Sequence, residues 1–216
     1  MSESIAVFAK AALPGRVKTR LTPVLSPEQA AAFHQACVED IWRTALALVG
    51  EGARLYTDEP FEPWMDLAGP DCVRYQKGPD LGVRMLNCFE DLAQEGFRRM
   101  MIIGADSPQV PPAHYREGLD LLVSEKDAVL GMSSDGGFYA VGCRKPRRMM
   151  FRDVHWSTEL AYSETRAAFE LAGLSLKSGM YTHYDVDTPE DLERLRREPS
   201  LGPRLHAWFR ANPRTS

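Results

Sequence analysis

The chain of 216 residues alternates short, continuously apolar runs with apolar stripes of helical period, and this alternation leaves few folds open. The first run, Ile5-Ala6-Val7-Phe8-Ala9, has no polar position on either side, as expected of a strand covered on both faces. A polar loop over residues 10–25 follows. Ser26-Pro27-Glu28-Gln29 then supplies an N-cap, a proline at the first helical position and a glutamine three residues after the cap. Behind it Phe33, Cys37, Ile41 and Ala45 recur every four residues, and Leu48 continues the stripe. The same reasoning predicts strands near 53–57, 72–76, 99–104, 127–131 and 138–143, and helices over 81–95, 112–124, 158–172 and 189–197. Strands alternating with helices form βαβ units, so the expected fold is α/β, a three-layer αβα sandwich around a mostly parallel sheet.

Length and composition narrow the class further. A chain of this size suits a single domain, which hides about 70% of its unfolded surface without a disulfide or metal staple. Its packed part is expected over about 4–195, with an Arg-rich tail beyond. The four cysteines, Cys37, Cys72, Cys88 and Cys143, contain no C-x-x-C pair and read as reduced thiols, which points to the cytoplasm. The N-terminal apolar run ends at Lys10, too soon for a signal peptide, and no run of 18 apolar residues predicts a membrane span. A formal net charge of -4 gives no reason to expect a nucleic-acid partner. That total is unevenly distributed. Residues 1–25 carry Lys10, Arg16, Lys18 and Arg20 against Glu3 alone, a net of +3. Residues 192–216 carry Arg194, Arg196, Arg197, Arg204, Arg210 and Arg214 against Glu193 and Glu198, a net of +4, so residues 26–191 sum to -11.

In an open parallel sheet, ligands bind outside the carboxyl ends of the strands. The polar segments that follow each expected strand are therefore the candidate site. The first, after Ala9, has the chemistry of a polyphosphate cradle. Lys10 opens it, Gly15 lets backbone N–H groups approach a phosphate, and Arg16, Lys18 and Arg20 fall at alternate positions, so an extended stretch points all three the same way. Neither a Walker A loop nor a dinucleotide fingerprint is present. Asp106 directly follows an apolar strand, and Asp185 and Asp187 stand two apart ahead of a helix. These are oxygen ligands suited to Mg²⁺ or Mn²⁺, which take one or two carboxylates together with substrate phosphates. Asp187 also reads as an N-cap of that helix. Asp135-Gly136-Gly137 reads as a hairpin turn between the strands at 127–131 and 138–143, and Trp156-Ser157-Thr158 as a cap ahead of a helix. The histidines at 34, 114, 155, 183 and 206 show no zinc-site spacing and read as surface or capping residues.

Five motifs in order carry a resemblance. They are Phe8-Ala9-Lys10-x-x-x-Pro14-Gly15-x-Val17-Lys18-Thr19-Arg20-Leu21, Gly104-Ala105-Asp106-Ser107-Pro108, Asp135-Gly136-Gly137-Phe138-Tyr139, Trp156-Ser157-Thr158 and Tyr184-Asp185-Val186-Asp187-Thr188-Pro189. Over residues 4–195 the chain resembles a bacterial family of predicted glycosyltransferases, catalogued as a domain of unknown function and linked to arsenosugar biosynthesis. That family belongs to the nucleotide-diphospho-sugar transferase superfamily, the GT-A fold with its Rossmann-like sheet, which includes molybdenum-cofactor and phospholactate guanylyltransferases. The resemblance implies a nucleotide over the first half of the sheet, flanked by Asp80-x-Gly82-x-Arg84. It implies a divalent cation at Asp106, and an acceptor side at Gly136, Gly137, Trp156 and Ser157. Ser134 stands where the family is expected to carry a glutamate, and Ala12 where a proline is common.

Three functions follow. In the first, a sugar is transferred from a nucleotide sugar to a small-molecule acceptor, with Asp135 as general base and the cation at Asp106 on the departing diphosphate. In the second, an acceptor phosphate attacks a nucleoside triphosphate, and Arg16, Lys18 and Arg20 hold the departing pyrophosphate. In the third, the chain binds a nucleotide without turnover. Three loop cations suit a triphosphate. The family's usual assignment and the separate Asp135 place glycosyl transfer first.

Overall fold

The computed structural model describes residues 2–177 and 179–213, so Arg214 of the tail lies outside the described residues. Its elements run β1 (Glu3–Ala9), α1 (Pro27–Val49), β2 (Ala53–Thr57), α2 (Glu62–Ala68), β3 (Val73–Tyr75), α3 (Leu81–Gln94), β4 (Arg99–Gly104), α4 (Pro112–Asp120), β5 (Asp127–Met132), β6 (Phe138–Cys143), α5 (Ala161–Leu171), β7 (Ser175–Leu176), α6 (Pro189–Leu195) and α7 (Pro203–Ala211). One sheet takes the order β3-β2-β1-β4-β6-β5-β7. All pairings are parallel except those of β6, which runs antiparallel to both β4 and β5. The carboxyl ends of β1, β4 and β5 and the start of β6 thus share one edge.

Alternation along β1 divides the interior. Ile5, Val7 and Ala9 face a cluster with Trp42 of α1, Trp64 of α2 and Leu119 of α4, whereas Ala6 faces Met85 and Phe89 of α3 and Phe169 of α5. The sheet is therefore covered on both faces, as its apolar runs predict. The α1 start forms as its sequence predicts: Gln29 N–H donates to Ser26 Oγ at 3.2 Å and Ser26 N–H to Gln29 Oε1 at 2.8 Å.

Several boundaries differ, each for a local reason. Helix α4 ends at Asp120 rather than 124, because the Asp127 carboxylate accepts from the N–H groups of Val123 and Ser124 at 2.9 and 2.5 Å and turns that stretch outward. Helix α5 begins at Ala161 rather than 158, since Ser157 has φ 62° and Thr158 Oγ1, donating to the His155 carbonyl and accepting from Leu160 N–H at 3.3 Å, closes a turn ahead of the helix. Helix α6 stops at Leu195, short of 197, and β3 is trimmed to three residues. Helix α2 and β7 are absent from the sequence expectations; both are short, and α2 carries a proline.

The tail is the larger difference. Beyond 195, Leu201 and helix α7 are packed. Leu201, Leu205, Trp208 and Phe209 form a third cluster with Phe33 and Cys37 of α1, Leu21 of the first loop, and Tyr184 and Val186. Asp40, buried on α1, accepts from the Arg204 and Leu205 N–H groups at 3.1 and 2.9 Å, so a side chain 164 residues away caps α7. Gly202 makes this approach possible, since a Cβ there would lie 2.1 Å from Asp40 Cγ. Two of its arginines bind the tail inward: Arg204 pairs with Glu39 at 2.6 Å, and Arg196 lies 4.6 Å from the Phe209 ring centroid. A carboxylate that caps a helix is worth about 1–2 kcal/mol. Asp40→Ala should therefore lower unfolding free energy in urea by about 2 kcal/mol, with Asp40→Asn costing less; an unchanged midpoint for Asp40→Ala would remove the cap from this account.

Candidate active site

The loop after β1 is folded, not extended. Arg16 N–H donates to the Leu13 carbonyl at 3.0 Å, Gly15 has φ 75°, Lys18 has φ 48°, and Thr19–Leu21 forms a short 3₁₀ turn. The alternate spacing of the three cations therefore does not aim them together. Arg16 runs to Glu59 beyond β2 at 2.6 Å, while Lys18 turns inward and Arg20 reaches Asp187 at 3.4 Å. Burial of Ala11, Ala12, Val17 and Leu21 anchors the loop, and Asp58 accepts from Ala11 N–H at 2.8 Å. Lys10 itself is exposed, but its carbonyl faces His34 Nε2 at 3.1 Å.

Lys18 is the centre of the edge. Its side chain is 3% exposed, and Nζ lies 2.5 Å from Asp106 Oδ1, 3.4 Å from Asp187 Oδ1 and 2.8 Å from the Val186 carbonyl. Burial opposes its charge, but Asp106 and Asp187 outweigh that and raise its pKa, so it stays an ammonium. The Asp106 carboxylate is half-exposed, and the Lys18 ammonium holds it below the ordinary carboxylate range. A non-glycine residue at positive φ costs roughly 1–2 kcal/mol of backbone energy. It is tolerated here because Lys18 is fixed on three acceptors.

Asp185 and Asp187 separate rather than acting as a pair. Thr188, not Asp187, caps α6, in a capping box with Asp191. That leaves Asp187 to Lys18 and Arg20. Asp185 instead accepts from the hydroxyls of Ser107 and Ser133, and burial raises its pKa to about 6. Backbone pairing of Val186 N–H with the Asp106 carbonyl at 2.8 Å holds the two aspartate segments side by side.

The residues expected on the acceptor side form a second group. The hairpin between β5 and β6 closes with Ser133 N–H on the Gly137 carbonyl at 2.9 Å, and exposed Asp135 accepts from Gly137 N–H at 3.0 Å. Gly136 has φ 89°, and a Cβ there would lie 2.2 Å from the Glu159 carbonyl oxygen, so the Trp156–Glu159 segment rests on the hairpin. The Trp156 ring in turn covers Gly82 at the first turn of α3, where a Cβ would lie 2.7 Å from it. Asp80 caps α3 through Val83 N–H, and Arg84 Nε donates to the Gly78 carbonyl at 3.0 Å. The fold thus gathers Lys18, Arg20, Asp106 and Asp187 into one cluster, and Gly82, Gly136 and Trp156 into another. Arg16 and Asp135 lie apart from the first cluster in their contacts.

Sequence reasoning missed His34, Ser107 and Ser133. His34 is buried rather than superficial, and burial lowers its pKa, so a neutral ring props the loop at Lys10. Ser107 stands inside the Gly104–Pro108 motif and Ser133 two residues ahead of Asp135, which was the available signal. Among the described residues, no group of three or more His, Cys, Asp or Glu side chains could by itself hold a metal. Asp106 and Asp187, both on one ammonium, fit an ion that takes one or two carboxylates and completes its shell with phosphates and water.

The Asp185 carboxyl has a consequence for stability. Its folded pKa of about 6 lies above the ordinary value near 3.9 of an unfolded chain, so between about pH 4 and 6 the folded state holds the extra proton and stability falls as pH rises. The stability of Asp185→Asn relative to wild type should therefore rise from pH 4 to pH 6 in urea titrations; a constant difference would refute the shift.

The chain resembles proteins of known name. It is 30% identical over 180 residues to a 2-phospho-L-lactate guanylyltransferase of Haloarcula marismortui, a match covering 82% of this chain and 79% of that protein. A solved protein of Desulfovibrio desulfuricans G20, whose assignment as a nucleotide-diphospho-sugar transferase is itself provisional, superposes with a TM-score of 0.86 at 29% identity, covering 98% and 96% of the two chains. A cytidylyltransferase of Leptospira borgpetersenii shares the fold, with a TM-score of 0.56 at 13% identity over 99% and 95% of the chains. The profile of the uncharacterized bacterial proteins called DUF2064 matches residues 32–158, more than half of the chain, which therefore belongs to the DUF2064 family.

Proposed function

We propose that this chain is a nucleotide-dependent transferase and that the group it moves is a nucleotidyl group. An oxygen of a phosphorylated acceptor attacks the α-phosphorus of a nucleoside triphosphate. The bond from that phosphorus to the bridging oxygen breaks, and pyrophosphate leaves. The observation that carries this reading is the convergence of two loop cations, Lys18 and Arg20, on Asp106 and Asp187. Such an arrangement re-sorts readily around a polyphosphate: the loop cations neutralise its oxygens, and the two carboxylates hold Mg²⁺ or Mn²⁺. When bound, that ion supplies further positive charge on the phosphates. Arg16, 59% exposed, joins from the outer side of the loop. Lys10, Gly15, Gly82 and Arg84 border the nucleotide, and the hairpin glycines, Trp156 and Ser157 border the acceptor. Catalysis then consists of positioning and charge stabilisation, for which no general base is required. The Haloarcula relative's name as a guanylyltransferase supports nucleotidyl transfer ahead of the glycosyl transfer that the sequence placed first.

Glycosyl transfer is the second reading, together with the arsenosugar link of the resemblance. It is favoured by the exposed Asp135 carboxylate, free to meet an acceptor hydroxyl, and by the name of the Desulfovibrio relative. We place either reaction in the cytoplasm, since all four cysteines are unpaired.

Titration with nucleoside triphosphates and nucleotide sugars, each with and without Mg²⁺, separates the readings. A true ligand stabilises the fold by about 2.7 kcal/mol at a hundredfold excess over its dissociation constant. Triphosphates should stabilise and release pyrophosphate when an acceptor is present. Stabilisation by nucleotide sugars alone would favour glycosyl transfer, and binding without turnover would favour a regulatory protein. Asp135→Asn should retain pyrophosphate release within about tenfold, whereas loss of a general base costs about 10²–10⁴. Asp106→Asn should abolish the Mg²⁺-dependent part of triphosphate binding in calorimetry; an unchanged metal dependence would remove Asp106 from the cation site.

A further inference from the structure

In the free protein, the cation that neutralises Asp106 and Asp187 is the chain's own. Lys18 Nζ touches both carboxylates and the Val186 carbonyl, and its side chain is almost wholly enclosed. Arg20 leans on the second oxygen of Asp187. A divalent ion seeking the same oxygens would meet an ammonium already on them, and like charges a few ångströms apart in a partly buried setting repel strongly. The outer cations differ: Arg16 and Arg20 are 59% and 77% exposed and meet an arriving anion first.

We propose that Lys18 is a displaceable occupant of the cation site, which excludes a divalent ion from Asp106 and Asp187 until a polyphosphate draws the ammonium away. Nucleotide binding then precedes or accompanies metal binding. This rests on the reading of the two carboxylates as a Mg²⁺ or Mn²⁺ site. The exchange keeps charge paired throughout, because the ammonium moves from carboxylate to phosphate oxygens as the ion takes the carboxylates. The loop permits it. Lys18 lies between Val17 and Leu21, whose buried side chains anchor the backbone on either side, so the ammonium can be re-aimed without moving the whole loop.

The experiment measures Mn²⁺ binding to the full chain by the electron paramagnetic resonance of the free ion, with inorganic tripolyphosphate as the probe and its own Mn²⁺ binding subtracted. Wild type without tripolyphosphate should bind Mn²⁺ at least about tenfold more weakly than with it. Lys18→Met, similar in length but uncharged, should gain about tenfold in Mn²⁺ affinity with no phosphate present, and Lys18→Arg should stay at the wild-type value. Adding Asp106→Asn to Lys18→Met should abolish that gain, which locates it at this pair. Equal Mn²⁺ affinity of folded Lys18→Met and wild type would overturn the exclusion and leave the cation site standing. Failure of every form to bind Mn²⁺, even with tripolyphosphate, would overturn the cation site itself. Should Lys18→Met not fold, the wild-type comparison decides, and equal affinity with and without tripolyphosphate overturns the proposal.

Discussion

The ammonium of Lys18 between Asp106 and Asp187 is the interaction around which the sheet edge is arranged. It joins the loop after β1, the turn after β4 and the approach to α6, which the Val186–Asp106 backbone bond and the packing of Leu21 against Tyr184 and Val186 also hold together. Enclosure makes the geometry strict, since an ammonium removed from water must find its hydrogen bonds within the protein. The left-handed backbone at Lys18, the folded course of residues 13–21 and the pairing of Val186 with Asp106 all serve that requirement. Because Thr188 and Asp191 cap α6 between themselves, Asp187 is free to take part.

Much of the fold was legible because burial leaves a local trace. A strand covered on both faces must be apolar at successive positions, which made β1 and β4 plain, and the Ser26–Gln29 capping box announced α1. The site was legible as a set of loops at one edge, but not in its internal wiring. Alternate spacing says which residues share a side only if the backbone is extended, and positive φ at Gly15 and Lys18 cancels that premise. Asp187 resembled a cap because aspartate and threonine have similar capping chemistry; only the fold shows which of them the helix uses. His34 was hidden for a different reason. It follows Phe33 on α1 and so sits beside the apolar stripe, and nothing local reports that a loop carbonyl waits there.

Close packing also joins the hairpin, the Trp156 segment and α3. Gly136 must lack a Cβ for Glu159 to rest on the hairpin, and Gly82 must lack one for the Trp156 ring to lie over α3. Trp156 therefore contacts the helix that borders the expected nucleotide, while its own segment contacts the turn that borders the expected acceptor.

The basic C-terminus, whose net charge of +4 had no evident role in the sequence, acts behind this edge rather than at it. Its helix α7 packs Leu205, Trp208 and Phe209 onto Phe33 and Cys37 of α1, and the same cluster holds Leu21, Tyr184 and Val186. Those last three stand within three residues of Lys18, Asp185 and Asp187. His34, adjacent to Phe33, supports Lys10 from the same helix. Arginines edge this apolar contact: Arg194 stacks 3.7 Å from the centroid of Tyr184, Arg196 lies over Phe209, and Arg204 pairs with Glu39. Their charge keeps the outer surface of the tail in water while its apolar face backs the loop that carries Lys18. The loop after β1 and the arginine-rich tail, the two basic ends of an acidic chain, are thus the front and the rear of one packed unit.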